Sequence, residues 1–481
     1  MENKQKAAIG NGCKVFKKCG GCQLQNLDYE SQLAYKQSKV KSNIGKFCHI
    51  NPIIGMNNPV HYRNKVQAAF GFDSHRNIVS GIYQSSTHKI VSVDNCMIED
   101  EIADKVIQSV RKIIIELKIP VYNERKNIGI VRHVLVKRGF STGEIMVVIV
   151  GTKDFMPNSD AFVSKLLSKH PDITTIVYNK NNKFTSMVLG DKESVLFGKG
   201  YIEDILCGCK FRISSRSFYQ INPVQTEIVY SKAIELANLS KDDIVMDAYC
   251  GIGTIGIIAS KYCKQVYGVE LNKDAVKDAK YNAGLNNISN IKFICHDATE
   301  FMIENANIKD SPNVLFLDPP RAGTTEDFVK CLAIMSPRTV VYISCNPETL
   351  GRDLYYFKKH GYKAKIAQPV DMFPHTAHVE TVCLLSKLSD AKHHVEVELN
   401  LDEMDMTSAE SKATYEEIKA YVQEHAGLNV TKLYIAQTKR KCGIIERENY
   451  NLPKNENSRQ PQCPPEKEAA IKDALKHFGM I

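Results

Sequence analysis

Three short runs carry residue types that can do covalent chemistry. In VYISCNPETLGRD (Val341–Asp353) an apolar strand delivers Cys345 to its carboxyl end, directly before Asn346 and Pro347. A lone cysteine is more often a small buried hydrophobe. One set just outside a strand end, beside a ligand crevice, is placed as a nucleophile. In DMFPHTAHVETVCLL (Asp371–Leu385) Glu380 stands at the entrance of a buried strand, where a carboxylate is costly unless paired or functional. It reads either as a base or as a structural hydrogen-bond acceptor. In LFLDPPR (Leu315–Arg321) Asp318 follows another apolar strand, and Pro319 and Pro320 form a rigid lip without backbone donors.

A fourth run, IVMDAYCGIGTIG (Ile244–Gly256), is a buried strand, an acid and then Gly251, Gly253 and Gly256 opening a helix. Glycines let the chain turn sharply and approach a ligand closely. Glu270 ends the next strand and suits ribose hydroxyls. Dinucleotides and S-adenosylmethionine are both held this way, so the loop alone does not choose between them. Asp297, after the third strand, either takes an adenine amino group or caps the next helix. A thiol, a carboxylate and an electrophilic cofactor together fit methylation at carbon 5 of a pyrimidine. Carbon 5 of uracil is a poor nucleophile until a thiol adds to carbon 6, and a base must then remove the carbon-5 proton so that the thiol leaves.

With GIG, DPPR, SCNP-x-TL-x-RD and DMFPHT-x-HVE together, residues 10–388 resemble the RNA uridine-5-methyltransferase family, in particular its 23S ribosomal RNA branch. The resemblance implies Cys345 as nucleophile and Glu380 as general base. It implies contacts to S-adenosylmethionine from Gln220, in SFYQINPVQTE, and from Tyr249, Thr254, Glu270, Asp297 and Asp318. Tyr249 and Thr254 stand where the family commonly has Phe and Asn. The implied substrate is structured RNA, with ribosomal RNA favoured and transfer RNA the alternative.

Cys13, Cys19 and Cys22, with Gly20 and Gly21 between the last two, form a compact metal-ligand pattern that needs a fourth ligand. Cys96 in VDNCMI is the best candidate. Spacing alone also allows zinc, with Cys48 as a rival. The resemblance implies a 4Fe–4S cluster on this pattern plus a distant cysteine, and HYRNKVQ (His61–Gln67) resembles the family's central RNA-binding domain.

These runs need elements to position them. Strand–helix alternation after Asn222, with strands at 244–247, 265–269, 291–295, 314–317 and 339–343, predicts an α/β, doubly wound parallel sheet over 221–389, which the resemblance implies to be a Rossmann-like class I methyltransferase domain. Before it, alternating apolar runs (66–72, 88–93, 128–136, 144–150) and a helix over 100–117 predict a central α+β domain with a mostly antiparallel sheet, over 49–220, which the resemblance implies to bind RNA. Residues 1–48 form the N-terminal iron–sulfur segment, with a helix-prone stretch over 28–46. Residues 390–411 form a linker, its first 21 residues holding seven acids against one lysine, and 412–481 a small basic appended domain ending in a helix over 466–478. In that unit Lys439, Arg440 and Lys441, near Tyr434 and Tyr450, are placed either to grip RNA phosphates or to form a solvated face. Only twelve residues precede Cys13, so the β-barrel that often opens family members is expected to be missing.

The chain has 481 residues, more than one core accommodates. Its net charge of +9 suits a polyanionic partner without requiring one. No apolar run nears the ~18 residues of a membrane span and the first residues lack a signal-peptide core, so a cytoplasmic monomer is expected. Fifteen cysteines there do not form a disulfide framework. Two other readings compete: methyl transfer to DNA cytosine or an exocyclic amine, and a non-catalytic iron–sulfur RNA-binding or redox-sensing protein. A cysteine after the fifth strand disfavours the first, and an intact Cys345 and Glu380 disfavour the second.

Overall fold

The computed structural model describes residues 13–388, apart from positions 85, 86, 88, 125, 184–186 and 306–310, and then 415–442, 463–478 and 480. The chain divides into two compact units, Met1–Asp390 and Ala391–Ile481. The expected linker, residues 390–411, lies outside the described residues.

In chain order the first strands are β1 (His49–Ile50), β2 (Lys65–Phe72), β3 (Ile78–Tyr83), β4 (Ile90–Ser92), β5 (Val131–Arg138), β6 (Ile145–Gly151), β7 (Ile173–Lys180), β8 (Lys192–Gly198), β9 (Tyr201–Leu206) and β10 (Cys209–Ser214). Strands β4-β3-β2-β5-β6-β7-β8 form one sheet, antiparallel except at β6–β7. Strand β6 is buried along its whole length, and its period-2 alternation explains why. Ile145, Val147 and Ile149 pack with the helices Glu101–Glu116 and Ser159–Lys169. Met146, Val148 and Val150 face the opposite core, together with the β9–β10 hairpin.

The remaining strands are β11 (Ile244–Ala248), β12 (Gln265–Glu270), β13 (Ile291–Cys295), β14 (Val314–Leu317), β15 (Thr339–Ser344), β16 (Tyr362–Val370) and β17 (Glu380–Lys387). With β1 they form an eight-stranded sheet in the order β1-β16-β17-β15-β14-β11-β12-β13. The chain runs outward from β11 through β12 to β13, then returns to β14 on the other side of β11. Open α/β sheets bind ligands outside the strand ends at such a reversal. Strand β17 enters antiparallel between β15 and β16.

Packing is shared across the expected boundaries at 48/49 and 220/221. Strand β1 pairs parallel with β16, so His49 and Ile50 complete the second sheet. One continuous core holds Met146 and Val148 of the first sheet with Val245, Val266 and Val341 of the second. In the other unit, helices Tyr415–Ala426, Lys432–Lys441 and Pro465–His477 enclose Ile418, Val422, Ile435, Ile471 and Leu475. Of the three consecutive cations there, Lys439 is buried, Arg440 is exposed, and Lys441, also exposed, pairs with Glu468 at 2.5 Å. Tyr450 lies outside the described residues. Among the described residues no helix is long and apolar enough to cross a membrane.

Candidate active site

The glycine loop is held by two carboxylates. Asp247, at the end of β11, accepts the Gly256 N–H at 2.8 Å. Glu270, ending β12, accepts Gly251 N–H at 3.1 Å and Asn272 N–H at 2.7 Å. Between them Tyr249 (φ 66°), Gly251 (φ 54°) and Gly253 (φ 83°) all take left-handed backbone. A Cβ on Gly253 would stand 2.6 Å from the Phe293 ring, whereas one on Gly251 would meet nothing within 4 Å. Gly253 therefore serves packing, and Gly251 keeps the loop's open face bare.

That face lines a cleft of about 400 Å³ with Gln220, Tyr230, Tyr249, Thr254 and Asp318. Four of the six expected cofactor residues thus share one cleft. Glu270 joins them indirectly, through its bond to Gly251. Asp297 does not line the cleft. Its Oδ1 accepts Thr299 and Glu300 N–H at 2.8 and 3.1 Å, so it caps the helix Ala298–Asn305. Tyr230 was not legible in the sequence. It lies on the buried helix Pro223–Ala237, indistinguishable there from a core aromatic, and its hydroxyl is 3.3 Å from Thr254 Oγ1.

Cys345 follows the last residue of β15 and remains partly exposed. Ser344 pairs with Thr381 in the antiparallel β15–β17 ladder, so the next rung would face Cys345 toward Glu380, the first residue of β17. Helix Pro347–Lys359 starts immediately afterwards, capped by Asn346, whose Oδ1 accepts Glu348 N–H at 3.1 Å. The RD of SCNPETLGRD turns out to be a brace. Asp353 accepts Tyr342 O–H at 2.6 Å and Thr324 N–H at 2.8 Å, and Arg352 donates to the Ala322 and Thr324 carbonyls at 2.8 Å. The loop carrying Pro319, Pro320 and Arg321 is thereby tied to the helix behind Cys345.

The electrostatics of this corner follow from scarce water. Burial raises the Asp318 carboxyl to about 7. Burial, and then the neighbouring Asp318, hold Glu380 well above the usual carboxylate range. Glu380 is 3% exposed. Asp247 is raised to about 8 by burial, with the Asp318 and Glu270 charges adding to it. The Cys345 thiol is pushed up to about 11 by burial and by the charges of Glu380 and Asp318, against a lowering from Arg321. Carboxyls grouped in a dry crevice resist ionising together, and a cation among them would relieve all of them.

Cys13, Cys19, Cys22 and Cys96 line a second cavity, of about 450 Å³, together with Arg63 and Glu99. Its walls come from the turn around the short helix Phe16–Cys19 and from the segment before helix Glu101–Glu116. Cys48 lies elsewhere, hydrogen-bonded to Cys383 of β17, and that bond lowers its thiol pKa. Among the described residues no three or more Cys, His, Asp or Glu converge as a single ion demands. Four thiols lining one cavity are a donor set of the kind a metal centre uses.

Comparison with known proteins places this geometry. Residues 28–388 match the family described as tRNA (Uracil-5-)-methyltransferase. An uncharacterized RNA methyltransferase of Halalkalibacterium halodurans is 44% identical over 378 residues, which are 78% of this chain and 82% of the relative. One from Caldanaerobacter subterraneus subsp. tengcongensis is 42% identical over 380 residues, 78% of this chain and 84% of the relative. Among solved structures, Pyrococcus abyssi tRNA (uracil-54, C5)-methyltransferase in complex with S-adenosyl-L-homocysteine matches at a TM-score of 0.63 and 28% identity, covering 76% of this chain and 85% of that one.

Proposed function

Because this chain belongs to the tRNA (uracil-5-)-methyltransferase family, and is thus an S-adenosylmethionine-dependent RNA methyltransferase, we propose that it methylates carbon 5 of a uridine in 23S ribosomal RNA, with Cys345 as nucleophile and Glu380 as base. The observation that carries this reading is the placement of Cys345 at the end of β15 with Glu380 opening the antiparallel neighbour, both within electrostatic reach of Asp318.

S-adenosylmethionine, when bound, supplies an electrophilic methyl on a cationic sulfonium. The cleft fits it: Gly251 leaves space for the ligand, Glu270 stands behind the loop, and Asp318 is an acid whose ionisation a cation would favour. Cys345 adds to carbon 6 of the uracil, which makes carbon 5 nucleophilic enough to take the methyl group. Glu380 then takes the carbon-5 proton, the ring double bond re-forms and the Cys345–carbon 6 bond breaks. Burial raises the Glu380 carboxylate's affinity for a proton, which suits it to take one from carbon 5. The target base must leave its stack to reach this crevice. Cys13, Cys19, Cys22 and Cys96 would hold a 4Fe–4S cluster, which the methyl transfer itself does not need.

Ribosomal RNA is favoured because the four-cysteine pattern resembles that branch. The Pyrococcus abyssi protein acts on transfer RNA, which makes transfer RNA the second reading. Mapping 5-methyluridine in both RNA classes from a deletion strain, complemented with wild type or Cys345→Ala, tests both. Loss from 23S ribosomal RNA restored only by wild type is expected. Loss confined to transfer RNA refutes the substrate, and restoration by Cys345→Ala refutes the nucleophile.

A further inference from the structure

Helix Tyr29–Ile44 carries Tyr29, Gln32 and Lys36 at i, i+3 and i+7, hence along one face. All three grip the segment that leads into β17. Lys36 Nζ is 2.5 Å from Asp371 Oδ1, with both side chains fully buried, and donates to the Phe373 carbonyl at 2.9 Å. Tyr29 donates to Asp371 Oδ2 at 2.9 Å. Gln32 Oε1 accepts His375 N–H at 2.9 Å while its Nε2 lies 3.2 Å from His375 Nδ1. Just before this helix, Leu24 N–H donates to the His375 carbonyl at 2.9 Å, and Gln23 Oε1 accepts Ala377 N–H at 3.2 Å.

The gripped loop needs holding. His375 sits in left-handed backbone (φ 67°) without being glycine, and five residues later comes Glu380. A helix is fixed on a sheet most cheaply by apolar contacts, and a buried charge pair is a costly way to gain adhesion. What directional bonds add is register: they specify where each carbonyl and amide of 371–377 must lie. From the other side, Gln225 Nε2 donates to the Asp371 carbonyl at 3.0 Å and Asn222 Nδ2 to the Met372 carbonyl at 2.9 Å.

We propose that Gln32 and Lys36 are positioning residues for Glu380, holding its loop so that the carboxylate reaches the carbon-5 proton. This rests on the reading of Glu380 as the base. Their loss acts on one step. Attack by Cys345 and methyl transfer proceed, but proton removal from carbon 5 and breakage of the sulfur–carbon 6 bond are delayed, so a covalent methylated RNA–protein adduct accumulates.

The test uses full-length protein with S-adenosylmethionine and an equimolar mixture of unmodified 23S ribosomal RNA and transfer RNA transcripts. Gln32→Ala is the mild variant. Lys36→Met combined with Asp371→Asn removes the ion pair without stranding a buried charge. Circular dichroism and thermal unfolding verify that each is folded. Expected are a kcat at least ten-fold lower, a KM for S-adenosylmethionine within two-fold of wild type, and a several-fold larger steady-state fraction of denaturation-resistant adduct. A general loosening of the site would raise KM and trap nothing. A fall in kcat without adduct, a parallel rise in KM, or unchanged kcat in Gln32→Ala overturns the inference. Glu380→Gln run alongside separates the two levels. If it accumulates adduct and Gln32→Ala does not, only the positioning role fails. If Glu380→Gln itself accumulates none, the assignment of the base fails and the inference with it.

Discussion

Gly251 and Gly253 lie two residues apart in the same loop, both in left-handed backbone, yet alanine at each should fail for different reasons. Left-handed backbone costs a residue with a Cβ about 1–2 kcal/mol. At Gly251 that is the whole cost to the fold, since the new methyl would meet no protein atom within 4 Å. At Gly253 the methyl would lie 2.6 Å from Phe293 Cζ and 3.3 Å from Ala279 Cβ, and overpacking of this kind adds about 1–3 kcal/mol. Gly253→Ala should therefore cost about 2–5 kcal/mol in total and lower the unfolding temperature clearly more than Gly251→Ala. Binding should not follow that ranking. If the space above Gly251 belongs to the cofactor, the alanine methyl enters it and must be accommodated against ligand atoms. A penalty of about 1–3 kcal/mol corresponds to roughly 5- to 150-fold weaker affinity. Thermal unfolding of both variants, together with calorimetric titration of S-adenosylhomocysteine, measures the two quantities separately. A folded Gly251→Ala protein that binds S-adenosylhomocysteine as wild type does would refute the assignment of that open face to the cofactor.

Three further outcomes follow from the site and its surroundings. Because the Cys345 thiol is raised to about 11, its thiolate fraction should climb ten-fold per pH unit below that value, so alkylation of Cys345 by iodoacetamide in the free protein, followed by peptide mass spectrometry, should rise with a logarithmic slope near one from about pH 7 to 9; a plateau in that range means an activated thiol and contradicts the geometry. Anaerobically prepared protein should contain about four irons per chain, and Cys13, Cys19, Cys22 or Cys96 changed to Ser should each lose iron while Cys48→Ser keeps it; iron loss in Cys48→Ser alone would show the cavity to be misassigned. Deleting residues 390–481 should lower the salt slope of RNA binding by about one contact, because Lys439 is buried and the exposed Lys441 is already held by Glu468, which leaves the exposed Arg440 to meet phosphate; a drop of three would mean that the whole triplet meets phosphate.

Local pattern carried most of the methyltransferase half. Strands 244–247, 265–269, 291–295, 314–317 and 339–343 are each found within a residue or so, because parallel strands buried on both faces read as continuous apolar runs between helical stretches. The same locality revealed Cys345 past a strand end, the glycine loop, and the helix Tyr29–Ile44 within the stretch 28–46. Strand β8 carried no comparable signal: it is mostly exposed and has no apolar rhythm to read.

Partnership between distant residues was decided only in three dimensions. Glu380 comes to Cys345 because β17 inserts antiparallel between β15 and β16, a choice of neighbour that no periodicity in the run itself records. Cys96 was the better candidate for a fourth ligand and Cys48 its rival. Pairing of β1 with β16 places the residue before β1 beside Cys383, and the turn before helix Glu101–Glu116 brings Cys96 to the other three thiols. Asp297 has the residue type for either of its two readings, and the fold uses its Oδ1 to hold the free amides at the start of helix Ala298–Asn305. The sheets of the central and methyltransferase regions share a core for a related reason. Alternate side chains of β6 face two cores, and one of those cores runs on into the methyltransferase sheet. Backbone propensity and side-chain period act over a few residues and are written in the chain, whereas strand order and the sharing of a core depend on which distant surfaces exclude water together.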